Sequence, residues 1–164
     1  DGDDVVYGGR DDDYLTGGDG DDLLLGERDD DTLEGGDGDD TLDGGDNTDS
    51  LAGGDGDDLL LGGRDADTLA GGEGDDTLTG GHGDDLFVFD TGSGFDVVTD
   101  FEPGNDLIQL NGFSFADFDA LLGAAEDDGG DVVFTLDESA GDELRLIGVN
   151  MADLDENDFM LNVA

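Results

Sequence analysis

The sequence predicts an all-β protein: a parallel β-roll (β-solenoid) of nonapeptide repeats with a C-terminal capping region of strands and a short helix. Three observations support this prediction. A nine-residue unit, GGxGxDxUx with U a large apolar residue, recurs in phase from residue 1 to residue 88. Position six is Asp in every copy, and position eight is apolar in every copy. A period this regular indicates stacked repeats that contact their neighbours.

Each unit is expected to form a turn over its first six residues and a very short strand over its last three. Glycine at positions one, two and four permits positive φ angles in a tight turn. Side chains alternate across a strand, so only position eight points to the interior. Two units then make one coil of 18 residues. Stacked coils form two parallel sheets that pack through their leucines, with turns along both edges.

The two edges differ in chemistry. On the first edge (turns 17–22, 35–40, 53–58 and 71–76) position four is Gly. On the second edge (turns 8–13, 26–31, 44–49, 62–67 and 80–85) it is Asp or Asn in every turn before Gly83. These are the non-glycine residues that best tolerate a left-handed backbone. We therefore expect the same turn conformation on both edges.

The invariant Asp at position six is the candidate metal ligand. Carboxylate and carbonyl oxygens are hard ligands, and oxygen-rich flexible turns suit the irregular coordination of Ca²⁺ better than the octahedron of Mg²⁺. One turn has too few oxygens for such an ion, whereas two stacked turns have enough, which gives about eight sites, four on each edge. The position-six residues are Asp4, Asp13, Asp22, Asp31, Asp40, Asp49, Asp58, Asp67, Asp76 and Asp85.

Over residues 1–88 these units resemble the RTX (repeats-in-toxin, haemolysin-type) calcium-binding family. The resemblance implies Ca²⁺ between successive turns, bound by the position-six Asp and by other turn oxygens. Whether position five contributes its side chain or its carbonyl stays open, because two units carry Thr48 and Ala66 there. The further turn residues that the resemblance implies at the metal sites are Gly17, Asp19, Asp21, Gly35, Asp37, Asp39, Gly53, Asp55, Asp57, Gly71, Glu73 and Asp75.

The overall composition is that of a disordered acidic chain. The formal net charge is -45, there are 32 glycines, and only 34% of the residues are hydrophobic. Because the Asp and apolar positions nevertheless stay in phase, we expect disorder only until cations neutralise the carboxylates. The sign of the charge excludes nucleic acid as a partner. No apolar run is long enough to span a membrane.

Residues 89–164 are expected to cap the roll. Alternating apolar residues predict strands over 96–101 and 106–110, with a turn at Pro103-Gly104. A short helix is expected from Ser114 to about Ala125, and a hairpin across residues 137–142.

This region also resembles the C-terminal region of type I secreted RTX proteins, through FVFD, GSGFDVVTDFEPGNDLIQL and LIGVNMADLDENDFML. The resemblance implies an uncleaved export signal and a type I secretion apparatus as partner. It also implies a location outside a Gram-negative cell, secreted or at its surface. The lack of an N-terminal signal peptide agrees with this route. Asp1 stands at position three of a unit, so we expect the chain to be part of a longer protein.

The residues support no catalytic role for this fragment. The single histidine, His82, stands at position three of a turn, and the serines lack a neighbouring base or a nucleophile elbow. The leading hypothesis is therefore a calcium-binding module that folds on binding extracellular Ca²⁺ and supports type I secretion and stability of a larger secreted protein.

Two alternatives remain. Arg10, Arg28 and Arg64 share position three on the second edge, where they either form local salt bridges or contact an anionic polysaccharide as part of an accessory module of a secreted enzyme. The other alternative is a self-associating structural or adhesive β-roll of a cell-surface layer or fibre. It would associate through residues expected to face outward on one sheet, which are Val5, Tyr7, Leu23, Leu25, Leu59 and Leu61.

Overall fold

The structure, a computed structural model, describes residues 2–137 and 139–162. Strands dominate it, with one short α-helix and one 3-10 turn in the described ranges. The strands of the repeat region are β1 Val5–Tyr7, β2 Tyr14–Asp19, β3 Leu23–Arg28, β4 Thr32–Asp37, β5 Thr41–Asp46, β6 Ser50–Asp55, β7 Leu59–Arg64, β8 Thr68–Glu73, β9 Thr77–His82 and β10 Leu86–Asp90. Those that follow are β11 Phe95–Val98, β12 Leu107–Asn111, β13 Ala125–Asp127, β14 Val132–Asp137, β15 Asp142–Leu146 and β16 Phe159–Asn162.

Odd- and even-numbered strands of the repeat region belong to two different sheets. Within the described residues, one sheet has nine strands in the order β1-β3-β5-β7-β9-β11-β15-β14-β13, and the other has seven in the order β16-β12-β10-β8-β6-β4-β2. The repeat strands pair in parallel with residues 18 apart opposite each other, as in Leu24 with Leu42 and Leu33 with Leu51. The predicted parallel β-roll with an 18-residue coil is therefore confirmed.

The strands are longer than the sequence pattern suggested. A typical strand has six residues, positions seven to nine of one unit and one to three of the next, rather than three. In β4, Leu33 at position eight and Gly35 at position one are both buried. The interior therefore alternates a leucine with a glycine, and a coil of 18 residues buries only two large apolar side chains. So small a core leaves much of the stability to the turns.

Backbone angles separate the roles of the glycines. Gly36 at position two and Gly38 at position four have φ angles of 127° and 130°. On the second edge Asp11, Asp29 and Asp65 take φ angles of 67–71° at position four, which confirms the expected left-handed turns. Gly35 is not among the residues with positive φ, so the expectation that position one needs a positive φ is wrong. A different cause, given below, requires glycine there.

Both sheets continue past residue 88. Strand β11 pairs with β9 and β12 pairs with β10, which adds a sixth coil, and β15 and β16 then extend the two sheets further. The expected hairpin is present, with β14 antiparallel to β15 and Asp137 opposite Asp142. The interior becomes aromatic here, as Phe87 and Phe101 lie 6.2 Å apart between ring centroids. The division into domains 1–88 and 89–164 stays a prediction.

The helix α1 spans Phe118–Leu122 and is shorter than expected. Asp117 is its N-cap and accepts a hydrogen bond from the Ala120 amide at 2.9 Å, so the predicted start at Ser114 is wrong. Both residue types can cap a helix, and the sequence alone did not show which would do so. In residues 2–137 and 139–162, no helix has the length and apolar character that a bilayer crossing requires.

Candidate calcium-binding turns

The position-six aspartates connect successive coils on both edges. On the first edge, Asp40 Oδ1 accepts a hydrogen bond from the Asp22 amide at 2.7 Å, and the Asp40 amide donates to Asp58 Oδ1 at 2.8 Å. On the second edge, the Asp31 amide donates to Asp49 Oδ1 at 2.8 Å. The structure therefore brings together every pair of position-six residues that the repeat placed 18 residues apart.

The second oxygen of these carboxylates is buried and unsatisfied. Among the described residues, Oδ2 has no hydrogen-bond partner in Asp22, Asp31, Asp40, Asp49, Asp58, Asp67, Asp76 and Asp96. A buried carboxylate oxygen without a partner is costly, and a buried charge without a counter-ion costs more. A column of such atoms is the arrangement that a row of bound cations would stabilise.

Glycine at position one makes room for this oxygen. A Cβ atom on Gly53 would stand within 3.0 Å of both Asp58 Oδ2 and the Gly71 carbonyl oxygen of the next coil. Gly35 has the same two neighbours one coil earlier, Asp40 Oδ2 and the Gly53 carbonyl oxygen. Oxygen atoms of two coils thus converge at the point where any other residue would place its Cβ atom. Hard oxygen atoms from a carboxylate and a carbonyl fit Ca²⁺.

Burial raises the pKa of several position-six carboxylates. The pKa of Asp58 is raised to about 7 by burial and by the charges of Asp76 and Asp40, against the lowering effect of the hydrogen bond from the Asp40 amide. Burial likewise raises the pKa of Asp67 to about 7 and that of Asp49 to about 6. The ionised column is therefore unfavourable in the folded chain unless a cation compensates it.

The other predicted turn residues take different positions. At position five, Asp39 Oδ1 accepts a hydrogen bond from the Asp57 amide at 3.1 Å, so these side chains link coils in the direction opposite to position six. At position three, Asp37 is exposed, and its carbonyl oxygen accepts a hydrogen bond from the Gly20 amide at 2.8 Å. The glycines at position one, Gly17, Gly35, Gly53 and Gly71, lie against Oδ2 of position six. Metal binding by positions one, three and five stays a prediction.

Side chains alone do not complete a metal site. Across ranges 2–137 and 139–162, no three acidic or histidine side chains converge closely enough to hold an ion. Two carboxylates from consecutive coils must therefore be completed by carbonyl oxygens of the turns. That two turns share each ion stays a prediction, as does the number of ions.

Two carboxylates that continue the columns were not foreseen. Asp96 Oδ1 accepts a hydrogen bond from the Asp76 amide at 3.2 Å, and Asp106 Oδ1 accepts one from the Asp85 amide at 3.0 Å. Insertions of two residues and then one residue separate them from the regular phase. The segment TGSGFDVVT at 91–99 nevertheless keeps four of the five defined positions of the unit, and this was the signal available in the sequence.

The basic residues of the second edge are partly neutralised. Arg64 donates to Asp46 at 2.7 Å in an exposed ion pair, and the parallel register places His82 next in the same row. Arg28 lies opposite Asp46 on the other side. Asp46 thus lies between Arg28 and Arg64, which favours the local salt bridge over a polysaccharide site for Arg64. His82 is exposed.

Comparison of the structure with solved proteins finds similar folds. The extracellular lipase LipA from Serratia marcescens matches with a TM-score of 0.54 and 20% identity, over 98% of this chain and 38% of the lipase. The AlgE6R3 subunit from the Azotobacter vinelandii mannuronan C5-epimerase matches with a TM-score of 0.42 and 28% identity, over 87% of this chain and 82% of that subunit. The chain thus spans well under half the length of the lipase. A search of curated proteins found no match.

A sequence family accounts for the repeats directly. The RTX calcium-binding nonapeptide repeat matches residues 1–33, 25–60 and 61–98, which is more than half of the chain. The match covers the turns in which the position-six carboxylates lie buried, and it extends over the irregular unit at 91–98. This chain belongs to the RTX calcium-binding nonapeptide repeat family.

Proposed function

We propose that this chain folds when it binds extracellular Ca²⁺ and thereby supports type I secretion and stability of a larger secreted protein. The observation that carries the proposal is the column of buried carboxylate oxygens without partners. Each buried carboxylate destabilises the folded chain without a cation and stabilises it when a cation is bound. Extracellular Ca²⁺ modules typically bind with Kd of about 10⁻⁴–10⁻³ M, so the sites would be empty in a cytosol and filled outside.

Binding and folding are coupled in this proposal because the sites do not exist in the unfolded chain. Each ion lies between two turns that only stacking brings together, so its binding energy becomes folding energy. In the cytosol, repulsion within a chain of net charge -45 keeps it extended, as passage through a narrow exporter requires. Catalysis forms no part of the proposed role.

Export of the full chain tests the secretion part of the proposal. In a Gram-negative host with a type I exporter, the chain is expected to accumulate in the medium. The matched control is a strain whose exporter cannot hydrolyse ATP, in which the chain is expected to stay in the cells. Equal amounts in the two media would contradict a type I route while leaving calcium-coupled folding untouched.

Acid is expected to replace calcium as a trigger of folding. The pKa of Asp58 is raised from 3.8 to about 7 in the folded chain, so the folded state binds protons more tightly than the unfolded state. Its stabilising effect is fully present below the unfolded pKa and is lost as pH rises through about 7. Chain in excess chelator should gain β structure by circular dichroism when the pH falls from neutral to about 4. An unfolded chain at both values would refute this expectation.

Self-association is a second candidate function, favoured by exposed apolar side chains at the N-terminal coil. Val5 and Tyr7 are 57% and 62% exposed, and Leu59 on the same sheet is 37% exposed. Such a surface can pack on a second copy. Light scattering during a Ca²⁺ titration separates the two functions, because a monomer at saturating Ca²⁺ supports the folding module and growing assemblies support the fibre.

A further inference from the structure

The column of the first edge continues beyond the ten regular units with its chemistry unchanged. Asp76 and Asp96 are 20 residues apart rather than 18, yet the Asp76 amide still donates to Asp96 Oδ1. Asp96 is only 1% exposed. Within the described chain, Oδ2 of both residues lacks a hydrogen-bond partner, as in the regular units. An insertion of two residues has therefore left the paired carboxylates in place.

A neutral oxygen accompanies this pair. Ser93 takes position three of the irregular turn, where the regular units of the first edge carry the exposed acids Asp19, Asp37, Asp55 and Glu73. Ser93 is 3% exposed, and no hydrogen bond of acceptable geometry reaches its Oγ from any described residue. The hydroxyl nevertheless lies close to the carboxyl of Asp96, whose pKa burial raises to about 7 against a lowering effect of Ser93. A buried hydroxyl oxygen beside two free carboxylate oxygens is a donor set for a hard cation.

A negatively charged opening leads to this turn. A cavity of about 280 Å³ is lined by Glu73, Asp90 and Ser93, together with glycines of the neighbouring turns. Ser93 lines this cavity and belongs to the same turn as Asp96. The cavity therefore places the carboxylates of Glu73 and Asp90 beside the turn that contains Ser93.

The second edge ends differently. Asp106 Oδ1 accepts from the Asp85 amide at 3.0 Å, and its Oδ2 accepts from the Glu102 amide at 2.8 Å. Asp158 is likewise saturated, because its two oxygens accept from the Gly104 and Asp155 amides at 2.8 and 2.7 Å. Both carboxylates are buried, and backbone amides donate to both oxygens of each. Neither therefore has an oxygen without a hydrogen-bond partner, in contrast to Asp76 and Asp96.

We propose that Asp76 and Asp96, with the Ser93 hydroxyl, hold an additional Ca²⁺ on the first edge, and that no ion binds between Asp85 and Asp106 on the second. The two edges of the roll would then carry unequal numbers of ions. The inference rests on the proposed calcium-binding function of the regular turns. It extends that function to a turn that breaks the nine-residue period.

Counting bound ions tests the inference with a matched pair of variants. By equilibrium dialysis at saturating Ca²⁺, Asp96→Asn is expected to bind one ion fewer than the wild type. Asp106→Asn should bind as many ions as the wild type but melt at a lower temperature, since its new NH₂ group cannot accept from the Glu102 amide. Equal counts for wild type and Asp96→Asn would overturn the inference and leave the proposed function intact. A wild type that binds no Ca²⁺ would overturn the proposed function itself.

A luminescence experiment detects the ion at this turn directly, in variants whose circular dichroism at saturating Ca²⁺ matches that of the Phe95→Trp parent. The chain has no Trp, so Phe95→Trp introduces a single Trp next to Asp96, which can be excited at wavelengths that Tyr7 and Tyr14 do not absorb and can transfer energy to Tb³⁺ bound in place of Ca²⁺. Emission sensitised by this Trp is expected to fall when Asp96→Asn is added and to persist when Asp106→Asn is added. An equal fall in both double variants, or no fall in either, would contradict a specific site at Asp96.

Discussion

Removal of Ca²⁺ with excess chelator at neutral pH is expected to abolish most of the β structure of the chain. Eight carboxylates have a buried oxygen without a hydrogen-bond partner among the described residues, and burial raises the pKa of Asp58 and Asp67 to about 7. At neutral pH these buried carboxylates are partly ionised, and their negative charge destabilises the folded chain. The apolar core of two leucines per coil is too small to offset this repulsion. Far-ultraviolet circular dichroism with and without chelator measures the effect.

Two controls define this experiment. Addition of excess Ca²⁺ to the chelated sample should restore the β signal, because the transition is coupled to binding rather than to damage. Mg²⁺ at the same concentration should restore much less, since it demands a regular octahedron and releases its water reluctantly. Substantial β structure that survives in chelator at neutral pH would refute the coupling of folding to calcium.

Asp40→Ala is expected to raise the Ca²⁺ midpoint of folding by about tenfold or more, the size of effect seen when a metal site loses even an outer partner. Asp40 lies between Asp22 and Asp58 and contacts both, so at the proposed sites its loss would remove a ligand from two ions. The substitution also leaves the buried Asp22 amide without its acceptor. The cooperativity of the Ca²⁺ titration should fall as well, because adjacent coils stabilise one another directly.

Asp37→Ala in the same turn is the matched control. Asp37 also carries a carboxylate, but its side chain is exposed and its contribution to the turn comes from the backbone. Its substitution should change the midpoint by no more than about twofold, as for most surface residues. Both midpoints come from Ca²⁺ titrations followed by circular dichroism. Equal shifts for the two variants would mean that position six is not the principal ligand.

The sequence was sufficient to predict the coil, its register and the pairing of position-six aspartates 18 residues apart, because all three repeat with one period. Once the 18-residue coil is recognised, a column such as Asp22, Asp40 and Asp58 can be predicted without knowledge of distant contacts. The left-handed turns of the second edge followed from the residues allowed there, since few side chains other than those of Asp11 and Asn47 tolerate that backbone.

The parts that were missed depend on contacts between coils or on broken periodicity. The role of Gly53 could not be read from its own backbone, because what excludes a side chain is an oxygen of Asp58 and a carbonyl of the next coil. Asp96 and Asp106 were overlooked because short insertions shift them out of phase. The start of α1 was misplaced because Ser114 and Asp117 are both acceptable caps.

The opposed hydrogen bonds of positions five and six bear on the fidelity of assembly. Strands of similar sequence that are rich in Leu, Thr and Gly specify their register only weakly through their side chains, and such strands can slip against each other. In this roll, the Asp57 amide donates to Asp39 of the preceding coil, while the Asp40 amide donates to Asp58 of the following coil. A strand displaced by one residue would lose both bonds at once and turn its leucine outward. The hydrogen bonds of the turns therefore fix the register of the sheets at their edges, in addition to the burial of the leucines in the core.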